Sequence, residues 1–175
     1  EFGKETVNSY EIGVKANPAP FMQVNVTGFY QDFDGYQNLR FEGTRFVVRQ
    51  YDKVISKGVE VELGLRPIDN VNASVGYTYL SAKVDDPVNA ADDNGKQLTN
   101  QPKHTFTGAL TWTPPISDSM SGLVHIDARS MSAANTLNDP NGIAFTRNDA
   151  YTVFNARLGL NFNDGKYAVE LYGQN

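Results

Sequence analysis

Between Val71 and Tyr79 the chain places Val71, Ala73, Val75, Tyr77 and Tyr79 at alternate positions, with Asn72, Ser74, Gly76 and Thr78 between them. The same period of two runs through Phe154, Ala156, Leu158, Leu160 and Phe162, separated by Asn155, Arg157, Gly159 and Asn161. Side chains switch face at every residue of a strand, whereas a helix brings them back after about 3.6 residues, so both stretches predict strands with one apolar face. Looser versions pass through Tyr10–Ala16, Met22–Tyr30, Val59–Leu65, Phe106–Trp112, Val124–Ala128 and Tyr167–Leu171. The pattern predicts eight strands and no helix.

The connectors fall into two alternating classes. Short ones carry turn residues: NPAP from Asn17, RPIDN from Arg66, TPPISDS from Thr113 and NDGK from Asn163. Long ones, Gln37–Gln50, Asp85–Pro102 and Met131–Ala150, are rich in Asp, Asn, Gly and Arg. Strict alternation of long and short predicts an up-and-down antiparallel meander with all short turns at one end.

A soluble β-sandwich also alternates, but its strands are usually about 5 or 6 residues long, while a tilted strand crosses a bilayer in about 9 to 11. The patterned stretches here reach the longer figure. Phe21, Trp112, Phe162 and Tyr167 lie beside the short turns, and Tyr30, Tyr36, Tyr51, Tyr79 and Tyr151 lie toward the long loops, as two interfacial girdles require. The fold expected is therefore an all-β, antiparallel, up-and-down transmembrane β-barrel. Asn72, Ser74, Gly76, Thr78, Thr105, Thr107, Ala109 and Thr111 make a polar face too small to fill a narrow barrel. The eight strands are thus expected to be part of a wider circle, the alternative being a self-contained eight-stranded barrel.

Several stretches resemble one known family, the TonB-dependent outer-membrane receptors, in the C-terminal part of their barrel. They are NSYEIGVKANP from Asn8, VNVTGFYQDFDGYQN from Val24, SKGVEVELGLRPIDNVNASVGYTYLSAKVDD from Ser56, GKQLTNQPKHTFTGALTW from Gly95, and NARLGLNF followed by YAVELYGQN. The resemblance implies a barrel of about 22 strands around a plug domain, set in the outer membrane of a Gram-negative bacterium. It also implies inward transport of a scarce small-molecule nutrient, often a ferric siderophore, with energy delivered through TonB. Residues 1–175 are then expected to be one segment of the barrel domain, with the plug, the TonB-contacting segment and the final strands outside it. The partners expected are outer-membrane lipid, the plug of the same chain, TonB and the nutrient ligand.

Composition narrows the chemistry. The 175 residues contain no Cys, which removes disulfides, thiolate metal clusters and cysteine nucleophiles. Fifteen Lys and Arg against 20 Asp and Glu, a net charge of -5, with no basic cluster, argue against nucleic acid as a partner. Runs of apolar residues such as Phe46-Val47-Val48 are far short of the roughly 20 needed by a membrane-spanning helix. The 40% hydrophobic content nonetheless requires burial in some medium.

Two regions invite site readings. The acidic loop carries Asp85, Asp86, Asp92 and Asp93, but placing Gly95 at the sixth position of a calcium loop puts Ala90 first and Gln101 last, which supplies no ligand at either end. These four are expected to be solvated residues of an extracellular loop, with no metal. On the polar face, Glu60, Glu62, Arg66, Asp127, Arg129 and Arg157 are the lumen-facing candidates, together with Glu11, Lys15 and Glu170. A wet interior tolerates such charges at little cost. His125 shares its face with Asp127 and Arg129, which allows an outer-membrane lipid hydrolase as a competing function; no serine stands at a telling spacing, so a hydrated ion cluster is expected, with neither catalytic residue nor cofactor.

Overall fold

The computed structural model describes residues 3–42, 45–136 and 147–175. Among these residues eleven strands follow one another: β1 Thr6–Ala19, β2 Met22–Glu42, β3 Arg45–Ile68, β4 Val71–Val84, β5 His104–Trp112, β6 Pro115–Ser117, β7 Met120–Met131, β8 Ala134–Asn135, β9 Arg147–Asn148, β10 Tyr151–Phe162 and β11 Tyr167–Gln174. Eight of them form one meander in the order β1-β2-β3-β4-β5-β7-β10-β11, every neighbour antiparallel, with β6 added beside β7. These eight contain the eight stretches that the alternation marks. The sheet runs from β1 to β11 without closing on itself among the described residues, which leaves those two edges bare.

The short turns form as their sequences dictate. Ala19 pairs with Met22 across Pro20–Phe21, and Ile68 with Val71 across Asp69–Asn70. In the last turn Asn163, Asp164 and Gly165 have φ of 56°, 54° and 79°, a left-handed run that only Asn, Asp and Gly adopt readily.

The expected loop 37–50 is instead strand. β2 and β3 continue as a hairpin to Glu42↔Arg45, with 21 and 24 residues where about 9 to 11 cross a bilayer. Its outer half pairs Leu39 with Val48 and Asn38 with Arg49. Composition misleads there because a hairpin standing in water needs no apolar row facing lipid. Of the expected loop 131–150, residues 137–146 lie outside the described set, and its flanks form the small β8–β9 ladder. The turn at Thr113–Ser119 also gains a strand, β6.

Cross-strand register sorts the residues by face. One row joins Ile12, Gly28, Val59 and Tyr79; another joins Val124, Leu158 and Leu171. Side chains on this apolar face lie open, Ile12 at 80% and Leu171 at 73% exposure. Among the described residues the buried apolar side chains are Tyr51, Val54, Ala82, Val84 and Leu98, all at the long-loop end. A sheet whose apolar band is bare while its only compact core sits at one tip needs lipid around the band. On the polar face Gly58 is an enforced glycine: a Cβ there would collide with the carbonyl oxygen of Tyr79 and come within 2.7 Å of the Phe29 ring, which lies across it.

Candidate functional site

The polar face carries two groups of charged residues, separated by the small side chains of β4 and β5. On β2–β3, Glu60 stands opposite Thr27 and Glu62 opposite Asn25, whose Nδ2 donates to Glu62 Oε2 at 3.0 Å. Arg66 Nε donates to Asn72 Oδ1 at 2.9 Å near the short-turn end. On β7–β10–β11 the register sets His125 beside Arg157, and Asp127 beside Asn155.

The second group is linked by direct contacts. Thr111 Oγ1 meets His125 Nδ1 at 2.8 Å, His125 Nε2 lies 3.5 Å from Asp127 Oδ1, and Asn155 Nδ2 donates to Asp127 Oδ2 at 2.8 Å. Arg157 pairs with Glu170 at 3.6 Å. Arg129, flanked by Thr107 and Val153, stands one register step beyond Asp127. The order hydroxyl, imidazole, carboxylate is present, but the His–Asp contact is longer than a good hydrogen bond and Asp127 is already engaged by Asn155. The arrangement is a partly exposed cluster of polar and charged side chains on the polar face of the sheet.

Above Glu60 the polar face holds a hollow of about 420 Å³, whose apolar lining includes Phe29, Phe33, Tyr36, Leu80 and Leu98. Phe33 and Tyr36 pack edge to face, 5.6 Å apart. The sequence reading overlooked these aromatics, although Phe29 and Phe33 share the parity of Asn25 and Thr27. Burial, then the charge of Glu5, push the Tyr36 hydroxyl above the usual tyrosine range. Neither Tyr36 nor Tyr51 belongs to an interfacial girdle. Tyr36 lines the hollow, and Tyr51 is buried in the cluster beneath the acidic loop.

That loop is folded rather than solvated throughout. Asp85 and Asp92 are exposed, but Asp86 and Asp93 are buried at 1% and 2% exposure. Asp86 accepts from the main-chain N–H of Asp52 and of Asn89, each at 2.9 Å, and Asp93 accepts from the Tyr51 hydroxyl at 2.9 Å. The returning segment runs back along β4, with Gly95 N–H on Val84 O and Leu98 N–H on Ala82 O. The correction has a plain cause. Carboxylates that satisfy donors are held inside, and two of the three donors here, the Tyr51 hydroxyl and the Asp52 N–H, belong to β3, far from the loop in sequence, while the Asn89 N–H lies within the loop. Among the described residues no group of carboxylates and histidines is arranged to hold a metal ion. Beside the loop, Lys53 Nζ donates to Asp32 Oδ2 at 3.0 Å, and this bond and charge raise the lysine above its ordinary range.

An antiparallel meander with a bare apolar band, a charged and polar opposite face and a folded loop cap at one end is the wall of an outer-membrane β-barrel. The chain belongs to the TonB dependent receptor-like β-barrel family, whose model matches residues 2–175. Solved structures with the same fold include the ferric yersiniabactin uptake receptor FyuA from Yersinia pestis, with TM-score 0.78 at 13% identity over 99% of this chain and 25% of that one. They also include the ferric-catecholate import receptor Fiu from K12 E. coli, with TM-score 0.74 at 22% identity over 99% of this chain and 24% of that one. A third is BauA, the ferric preacinetobactin receptor from Acinetobacter baumannii, with TM-score 0.71 at 13% identity over 95% and 24%. No curated protein matches the chain. The chain spans about a quarter of the length of these receptors. The family consists of transporters and not of enzymes, and its place is the outer membrane of Gram-negative bacteria.

Proposed function

We propose that residues 1–175 form one segment of the barrel domain of an active importer, which takes up a scarce nutrient of the ferric siderophore class with energy delivered through TonB. The observation that carries this reading is the sheet itself: eight long strands in sequence order, bare at both β1 and β11, with a polar face of small side chains and ion pairs suited to a wide, occupied lumen. The neighbours named as ferric-ligand receptors support the substrate class. In this reading Glu60, Glu62, Arg66, Asp127, Arg129 and Arg157 face the lumen, where a plug domain of the same full-length protein packs against them, and lipid covers the other face. The loop with Asp85, Asp86, Asp92 and Asp93 caps the extracellular mouth, where ligand is captured. TonB acts through parts of the protein other than this segment.

The test is uptake of a labelled ferric siderophore by cells carrying the full-length receptor, with and without an uncoupler. Binding is expected to persist and import to cease when the membrane is de-energised. Import indifferent to the uncoupler would leave a passive pore in place of an active receptor.

Orientation has its own check. Val88, 83% exposed on the acidic loop, and Asp118, exposed in a short turn, lie at opposite ends of the sheet. In whole cells a membrane-impermeant maleimide should modify Val88→Cys and spare Asp118→Cys until the outer membrane is permeabilised. Equal labelling at both ends contradicts the orientation.

A further inference from the structure

We infer that Asn94 and Gly95, at the turn of the acidic loop, form a self-modification site: the folded cap suppresses deamidation of Asn94, and opening of the cap releases it. An asparagine followed by glycine is especially labile, because glycine has no Cβ to crowd the approach of its own nitrogen to the preceding carboxamide. Here the fold calls for both residues. Gly95 has φ of 75°, in the left-handed region that favours glycine. Asn94 Oδ1 accepts the main-chain N–H of Asp86 at 3.0 Å, which ties the turn to the start of the loop. Both residues are exposed, so water and base reach them.

In the closed cap the reacting groups are engaged elsewhere. Deamidation begins when the Gly95 nitrogen loses its proton and attacks Asn94 Cγ. That N–H is donated to Val84 O at 2.8 Å, and the Val84 N–H is donated back to Lys96 O at 3.1 Å, so the nitrogen is fixed to the end of β4. A hydrogen bond made by the protonated form disfavours loss of the proton. The Asn94 carboxamide is held by Asp86, and the Asn94 main-chain N–H is donated to Ala90 O at 2.9 Å, so swinging Cγ toward the Gly95 nitrogen costs hydrogen bonds. When the loop opens, these restraints go together. The Gly95 nitrogen then bonds to Cγ, the Cγ–Nδ2 bond breaks, ammonia leaves and a succinimide ring is closed. Water opens the ring at one carbonyl or the other, giving aspartate or isoaspartate. In isoaspartate the main chain runs through Cγ and is one atom longer, so the Gly95 N–H no longer matches Val84 O and the cap does not close again. A transient opening is thereby made permanent, whatever ligand the receptor carries.

The site is tested on the full-length receptor, aged in mild detergent and mildly alkaline buffer. Peptide mapping follows the loss of Asn94, and labelling by an isoaspartate methyltransferase counts the isoaspartate. Mapping also separates Asn94 from Asn141–Gly142, the other such pair in the sequence, which lies outside the described residues. Folded wild type should lose Asn94 at least about tenfold more slowly than the same protein held unfolded in denaturant. Asp86→Ala removes the acceptor of the Asp52 and Asn89 N–H groups and should speed the loss about tenfold over folded wild type, the factor that one abandoned donor gives the opening equilibrium. Asp86→Asn should fall between, and heat-modifiability on a gel reports whether each variant folds. Folded wild type that ages at the unfolded rate overturns the inference, and so does equal ageing of wild type and Asp86→Ala. Should Asp86→Ala fail to fold, Asp86→Asn against wild type decides. Receptor enriched in isoaspartate at position 94 should exchange its amides across residues 85–101 faster than fresh receptor; unchanged exchange there overturns the one-way step.

Discussion

Leu158→Arg should cost about 2 to 4 kcal/mol of folding free energy in lipid vesicles, the penalty of an arginine on the lipid face near the bilayer midplane, whereas Arg157→Ala, one residue away, should cost about 0 to 1 kcal/mol. Leu158 stands between Val124 and Leu171 on the apolar face and is 53% exposed in the bare sheet. It lies four residues above Phe162, roughly 13 Å along the strand, inside an apolar band about 25 Å tall. A guanidinium placed there must drag water into the bilayer or bend to reach its surface. Arg157 points the other way and meets Glu170 at 3.6 Å, with both side chains partly exposed, so water replaces most of what the pair supplies. Denaturant titrations of the full-length protein folded into vesicles compare the two variants. The reverse order of penalties would mean that the faces are inverted.

The membrane-crossing part of the fold was legible because lipid enforces it. A strand in a bilayer must turn every second side chain toward hydrocarbon for about ten residues, and no other demand writes so regular a pattern. Where the strands leave the bilayer the demand ends, and so did legibility. Asn38, Leu39, Val47, Val48 and Arg49 continue the β2–β3 ladder through a stretch whose composition reads as loop. The aromatic residues show the same limit. Position along the chain gave the height of Tyr36 and Tyr51 correctly, near the long loops, but not their surroundings. Gly35, with φ of 69°, interrupts the alternation just before Tyr36, which then lines the polar hollow. Phe29 and Phe33 were readable by parity alone. The ion cluster on β7 and β10 was partly readable: alternation placed His125, Asp127 and Arg129 on one face, while the contacts to Thr111 and Asn155 depend on strand register, which local sequence does not encode.

The acidic loop marks the deepest limit and supplies the other large effect. Composition alone does not distinguish Asp86 from Asp85, or Asp93 from Asp92; what separates them is the Asp52 N–H and the Tyr51 hydroxyl of β3, which the folded chain brings beneath the loop, joined at Asp86 by the Asn89 N–H three residues on. Asp86→Ala should release this cap. The substitution leaves the main-chain N–H groups of Asp52 and Asn89 without the carboxylate that each meets at 2.9 Å. An abandoned buried donor costs about 1 to 3 kcal/mol, and bonds to a charged acceptor lie toward the upper end. Two such losses, about 2 to 6 kcal/mol together, compare with the whole stability available to a segment that opens locally. Asp86→Asn keeps one carbonyl acceptor and should fall between wild type and alanine. Because the barrel strands hold one another through their own ladders, the loss should stay at the tip. Amide exchange measured on the full-length protein should quicken across residues 85–101 and at the facing part of β3, while amides near Leu158 keep their protection. Unchanged exchange in the loop would show that the packing of Leu98 against Val54, Ala82 and Val84 holds the cap without the carboxylate. Faster exchange everywhere would show instead that the cap and the barrel wall open as one unit.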